Sequence, residues 1–269
     1  MRSRQRNVRV LRKNHDGSSR AAQDFRTLSK GMKQSSKTLP ATGKTPKTRP
    51  VSTTGYRKGE ETRQRILDVA LKAFGEDSFI AVTTRHISEA AGVSLPTLQY
   101  YFGSKEGLYR GCAGAIVERY RRHTSSAAAS AREVLNKESS AEAARAQLKA
   151  VIKALAGLLV GSNQAEAWAQ FVARELRDPG PAFELLYSSL WRPGVELTTK
   201  LIARIRGCSE NDPNARIQAL MLISSLLAFQ SGRSISLRAM QWSTIGQEEL
   251  AMVLFSLDAQ IDAIGRDHS

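Results

Sequence analysis

The sequence predicts an all-α chain in three parts: a disordered basic tail, a three-helix helix-turn-helix domain, and a larger helical domain. Three observations carry that prediction. Apolar residues recur at helical spacing from Glu60 onward, punctuated by caps and breakers. Residues 90–94, AAGVS, join two short helical stretches through two small residues, a glycine and a capping serine. The net charge of +15 is unevenly placed, because residues 1–58 hold 16 Lys/Arg against Asp16 and Asp24, a net +14 that leaves +1 for all the rest.

The first part, 1–58, is rich in Arg, Lys, Ser, Thr and Pro, with Phe25 and Tyr56 its only aromatics. Such a composition buries too little apolar surface to offset the entropy of ordering, so disorder is expected. It has no apolar h-region and does not read as a secretory signal.

The second part spans 59–107. Ile66, Leu67, Val69, Ala70, Leu71 and Phe74 give its first helix a wide buried face, with Glu60 and Glu61 suited to the N-terminal end. Thr83 or Thr84 caps the next helix, which buries Ile87 and Ala91. Ala90 and Ala91 let helices cross closely, Gly92 accepts the positive φ of a tight turn, and Val93 plugs the crossing. Ser94 caps a third helix that begins near Leu95-Pro96. Leu98 and Phe102 face inward, which leaves Leu95, Pro96, Thr97, Gln99, Tyr100 and Tyr101 outward. An ordinary helical hairpin carries the same hinge and cap. Exposed aromatics on so short a helix need a partner, however, and a DNA major groove supplies one. There Gln99 can read adenine through N6 and N7, worth about 1–3 kcal/mol of discrimination, while Leu95, Pro96 and the Thr97 methyl meet thymine methyls. The hydroxyls of Thr83 and Thr84 can also donate to phosphate. Ser104 caps a fourth helix, and Lys105 at its start opposes the helix dipole.

TTR (83–85), AAGVS (90–94), PTL (96–98) and YYF-x-SKE-x-L (100–108) together closely resemble the DNA-binding region of the TetR family of bacterial repressors. The resemblance runs from about Thr62 to Tyr109. It implies that Arg85 contacts a base, and arginine pairs best with guanine O6 and N7; the alternative is a solvated surface arginine. It also implies that Tyr101 and Lys105 hold phosphates, with Ser94 and its neighbours at the groove. Two positions depart from the family. Gln99 replaces a usual tyrosine, which implies an altered operator preference. Ser78 replaces a usual glycine before an aromatic, which implies a strained or reshaped helix end. Beside such a reader, the basic tail has a candidate role as an arm on DNA phosphates, with TGKTPKTRP (42–50) along a minor groove. The alternatives are a solvated tail, or a misplaced start with Met32 as initiator.

The third part, 108–265, reads as helix throughout. Leu108, Cys112, Ala115 and Ile116 mark a spine leading out of the reader. Ser139-Ser140 opens a stripe from Ala144 to Leu159. Ser162-Asn163 opens another, with Trp168, Phe171, Val172 and Leu176 inward, closed by Asp178-Pro179. Pro193 is expected to kink or break the next helix, and Gly207 to stop it. Asp212-Pro213 starts a helix that is apolar nearly all round, and Leu250, Val253, Leu254, Leu257, Ile261 and Ile264 line the last one. These two helices are the expected homodimer interface, a four-helix bundle with their symmetry mates, against a monomeric core as the alternative.

ARELRDPGPAFELLY (173–187), WRPGVEL (191–197) and AFQSGRSISLRAMQW (228–242) further resemble the C-terminal domain of the CecR-type branch of that family. This implies a regulator responding to small, often toxic molecules. Its effector residues are expected among Trp168, Phe171, Glu175, Trp191, Phe229, Gln230 and Arg233. Glu175 lies seven residues after Trp168 and four after Phe171, on the apolar side of its helix. A carboxylate buried there needs a partner: an arginine such as Arg174, Arg192 or Arg233, or a cationic ligand.

The remaining classes are thinner. No apolar run approaches the ~20 residues that span a bilayer, so no membrane partner is expected. Cys112 and Cys208 form no disulfide framework, and four scattered histidines form no metal set. A reducing cytoplasm fits. P-loop, nucleophile-elbow and zinc motifs are missing, so neither an enzyme nor a cofactor is expected. The expected partners are duplex operator DNA, a small-molecule effector and a second copy of the chain.

Overall fold

The structure, a computed structural model, describes residues 53–161 and 165–266. Residues 1–52 of the expected tail, and the Ser162-Asn163 helix start, lie outside the described residues. Among the described residues there is helix and no strand. The helices are α1 (Thr53–Glu76), α2 (Thr84–Ala90), α3 (Leu95–Phe102), α4 (Lys105–Asn136), α5 (Ala141–Leu159), α6 (Ala165–Arg177), α7 (Phe183–Leu186), α8 (Arg192–Arg206), α9 (Pro213–Gln230), α10 (Arg233–Met240) and α11 (Gln247–Ala263). Residues from Ser52 onward form one compact unit.

Five helix starts follow local capping chemistry. Thr83, Ser94, Ser104, Ser140 and Asp212 each accept a hydrogen bond from the backbone N–H three residues on, which satisfies a donor the helix itself leaves free. Gly207 stops α8 in the left-handed conformation at φ 65°.

Two buried cores result. In the first, Ile66 and Phe74 of α1 meet Ile87, Leu98, Leu108 and Phe171. In the second, Leu148 and Ile152 of α5 meet Leu201, Ala219 and Leu257. α4 is one unbroken helix of 32 residues that serves both cores, so the 107/108 boundary falls inside a helix.

Three helix C-termini are closed from a distance. The last carbonyls of a helix lack intrahelical partners and form the negative end of its dipole. α1, α4 and α11 have no basic residue in the last turn. An arginine from another helix serves each of them. Arg174 donates to the carbonyls of Gly75 and Glu76 at 3.2 and 2.8 Å. Arg204 donates to those of Leu135, Lys137 and Ser139, and Arg145 to those of Ile261 and Ile264.

The structure changes four expectations. α1 begins at Thr53, six residues before Gly59. The end of α1 is reshaped without strain: Ser78 hydroxyl and carbonyl oxygens accept from Ala81 N–H, and Gln241 is the only non-glycine residue with positive φ among those described. Pro193 does not interrupt the helical run. A π turn at Tyr187–Trp191 carries α7 into α8, widening the ladder ahead of a proline that cannot donate. α9 is buried on one side only in the single chain: Ala215, Ala219, Leu222 and Leu226 face in, while Ile217, Leu220 and Met221 are exposed.

Candidate nucleic-acid interface and regulatory site

The reader is set by α1. Arg65 on α1 donates to the carbonyl of Ala91 at 3.0 Å, which pins the turn between α2 and α3. Gly92 in that turn has φ 62°, a conformation that a side chain would strain. Val93 is half-buried against the first core. Sequence spacing carried no signal for Arg65, which stands 26 residues from its acceptor.

On α3, Leu98 is fully buried, and Pro96, Gln99 and Tyr100 are exposed at i, i+3 and i+4. That spacing places them on one face of the helix. Leu95, Thr97 and Tyr101 are half-buried at its edges. The Thr97 hydroxyl is bonded to that of Ser94 at 2.8 Å, so the two fix the first turn together. Tyr100 is 84% exposed, with its ring edge-on to Tyr101 at 5.3 Å. Phe102 is only half-buried, and Arg63 lies over its ring at 5.6 Å.

Two expected contacts have intramolecular partners in this conformation. Arg85 pairs with Glu89 at 3.1 Å, both largely exposed, so an arginine there has a structural reason that the sequence did not suggest. Lys105 donates to the Ile80 carbonyl at 3.1 Å, with its ammonium 4.9 Å from the centroid of the Phe79 ring. It therefore ties the turn after α1 to the start of α4. Thr83 is committed to its cap on His86, and Thr84 is half-buried beside it.

The seven expected effector residues fall into two groups. Trp168, Phe171, Glu175 and Trp191 sit in or against the first core; Phe229 packs on the second, stacked on Trp242 at 6.3 Å. Gln230 is half-buried, and Arg233 donates to the Val160 carbonyl at 3.3 Å. A cleft of about 1090 Å³ between α1, α4 and α6 is lined by Trp168 together with Arg63, Asp68, Lys72, Glu118 and Arg122, among others. The buried Trp168 indole N–H has no acceptor among the described residues.

Glu175 is 1% exposed, as its place on the apolar face requires, but among the described residues no arginine forms an ion pair with it. Its carboxylate accepts from the Tyr109 hydroxyl at 2.6 Å and from Gly180 N–H at 3.2 Å. The arginine expectation fails because Arg174 points to the end of α1 instead. Tyr109 is itself 1% exposed and boxed by Phe74, Phe79 and Phe171 at 4.8, 4.9 and 4.7 Å. Burial, and then the Glu175 carboxylate beside it, hold its hydroxyl far above the usual tyrosine range. Burial likewise pushes the Cys112 thiol up, which fits a small packed hydrophobe. No cluster among the described residues is built to hold a metal, and no single described helix is long and apolar enough to cross a membrane.

Comparison with known proteins bears on this geometry. Residues 66–112 match the model for bacterial regulatory proteins of the TetR family, and residues 144–266 match that for the C-terminal domain of the HTH-type transcriptional dual regulator CecR. The chain belongs to the TetR family of transcriptional regulators, with a CecR-type C-terminal domain. It is 30% identical over 211 residues to the HTH-type transcriptional dual regulator CecR of Shigella flexneri, covering 77% of this chain and 92% of that one. It is 44% identical over 57 residues to the HTH-type transcriptional regulatory protein RaaS of Mycobacterium tuberculosis, 21% of this chain and 26% of that protein. A TetR-like transcriptional regulator from Rhodococcus sp. RHA1 shares the fold at a TM-score of 0.50 and 19% identity, covering 75% of this chain and 96% of that one.

Proposed function

We propose that this transcriptional regulator is a homodimeric repressor that binds a palindromic operator and is released by a small-molecule effector. The observation that carries the DNA reading is the exposed stripe of Pro96, Gln99 and Tyr100 on a helix whose opposite face is anchored by the fully buried Leu98. A rigid inner face lets a short helix present base-reading groups in a fixed register. Ile217, Leu220 and Met221 on α9, and Met252 and Phe255 on α11, are exposed apolar side chains, which supports the dimer. Two copies then place two α3 helices on two half-sites.

Effector release requires a ligand with different affinities for the DNA-competent and DNA-incompetent conformations, and operator DNA then weakens effector binding by the same factor. α6 suits such a device. It holds α1 through Arg174 and α4 through Glu175, so a displacement of α6 reaches the reader directly. The Shigella relative is described as a dual regulator, so activation at some promoters belongs to the same reading.

The test is fluorescence anisotropy against duplex from the region flanking the gene, with a scrambled duplex at the same salt. A preference of about a thousandfold or more is expected for a specific regulator. Gln99→Ala should remove about 1–3 kcal/mol of discrimination at one base pair per half-site. Equal affinity for every duplex, in wild type and variant alike, would instead fit a DNA-organising protein without an operator.

A further inference from the structure

α4 carries three glycines within its first ten residues, Gly107, Gly111 and Gly114. Packing requires the first two: a Cβ on Gly107 would collide with the Phe102 carbonyl oxygen, and one on Gly111 would stand 3.1 Å from the Phe102 ring. Gly114 has no such reason, because a Cβ there would meet nothing within 4 Å. A glycine inside a helix is less stable than alanine, so packing and propensity both disfavour it. Gly114 lines the cleft of about 1090 Å³ between α1, α4 and α6, and leaves α4 backbone open to that space.

The same cleft holds an unmet polar group. Trp168 lines it from α6 and is 7% exposed, and its indole N–H has no acceptor among the described residues. A buried donor left unmade is costly, and a ligand acceptor removes that cost. Four basic and four acidic described residues line the cleft, so its formal charge is zero. An ion of either sign gains no net attraction on entry, whereas a dipolar molecule can meet both signs at once. Leu71, Ala115 and Ile116 add apolar wall. The volume suits a drug-sized molecule, whose pockets run to about 300–1,000 Å³.

The walls are the helices that set the reader. α1 pins the α2–α3 turn through Arg65, and α6 is tied to α1 through Arg174 and to α4 through Glu175. The affinity of an occupant touching all three changes whenever α1 shifts against α6, and release requires such a difference.

We propose that this cleft, and not the interior of either core, is the effector site. Its ligand is a net-neutral, dipolar amphiphile whose acceptor meets the Trp168 indole N–H and whose apolar part lies on α4 at Gly114 and Ala115. Of the residues expected to meet an effector, only Trp168 lines it. The assignment rests on the ligand-released reading above and names its site and ligand class.

The test uses the full chain, isotope-labelled at the indole nitrogens of its three tryptophans. Three probes share one chain and differ in charge: N-octyl-N,N-dimethylglycine, octyltrimethylammonium and octanoate. Trp168→Phe assigns the cleft signal in the NMR spectrum. The betaine should move that signal downfield, as a proton gaining an acceptor does, and bind about tenfold tighter than the cation or the anion. Gly114→Leu fills the open space, so it should melt no lower than wild type and bind the betaine at least about tenfold more weakly. Saturating betaine should also weaken wild-type binding to the gene-flanking duplex. An unmoved Trp168 signal overturns the site, and a shift confined to Trp191 or Trp242 moves the effector to the cores. Equal binding by the octyl cation or anion overturns the ligand class. An equal response in Gly114→Leu shows an adventitious additive only. Binding at Trp168 that leaves DNA affinity unchanged refutes ligand release itself and leaves the binding site standing.

Discussion

Replacing Glu175 by leucine should destabilise the protein by about 1–3 kcal/mol, because the buried Tyr109 hydroxyl loses its acceptor. That bond is 2.6 Å long; the N–H of exposed Gly180 also donates to the carboxylate, at 3.2 Å, but can turn to water instead. The Tyr109 ring is locked among three phenylalanines and cannot turn its hydroxyl to water. For a folded unit of this size a loss of 1 kcal/mol lowers the melting temperature by about 2–4 °C, so a fall of roughly 2–12 °C is expected. Glu175→Gln keeps the shape but offers one carbonyl to two donors, and should fall between the leucine variant and wild type. Tyr109→Phe and Glu175→Gln should couple by at least about 1 kcal/mol in a double-mutant cycle, since they remove one shared bond. The assay is thermal and urea unfolding at fixed protomer concentration, because the proposed dimer would make stability concentration-dependent. Strict additivity, or a loss below about 0.5 kcal/mol for the leucine variant, would refute the pairing as the anchor of α6.

Three further outcomes are expected. Tyr109 has a folded-state pKa raised above its unfolded value near 10, so its contribution is full below that pH and declines as pH rises toward the folded value; unfolding followed from pH 8 to alkaline conditions should show the decline, and Tyr109→Phe should reduce it. Phe255→Glu or Met221→Glu places a charge on an apolar surface where the native side chains are 77% and 68% exposed in the single chain. Light scattering should then report a monomer where wild type gives a dimer, and an unchanged dimer would move the interface elsewhere. In a thiol titration, half-exposed Cys208 should react first and buried Cys112 only as the protein unfolds, which mass spectrometry of the modified peptides can check.

The local backbone of this protein is legible in its residues. Thr83, Ser94, Ser104, Ser140 and Asp212 cap the helices they precede, and Gly92 and Gly207 adopt the left-handed conformations that their positions suggest. Caps and turns are decided within about four residues, so a short window contains their cause. The inward faces of α1 and α3 follow the helical period for the same reason. What the period cannot supply is the partner across space. Glu175 reads as buried, but that its partner is Tyr109, 66 residues away, and not an arginine follows only from how α4 and α6 pack. Arg65, Arg145, Arg174 and Arg204 look like surface arginines until α1, α4, α11 and the α2–α3 turn bring unpaired carbonyls to them from 26 to 119 residues away. Lys105 is held at the Ile80 carbonyl in the same way. The exposed side of α9 was likewise invisible, since an apolar helix reads the same whether its second face meets its own chain or a second copy. Hydrophobic period fixes which face turns inward; the packing of distant helices determines which polar groups must then meet.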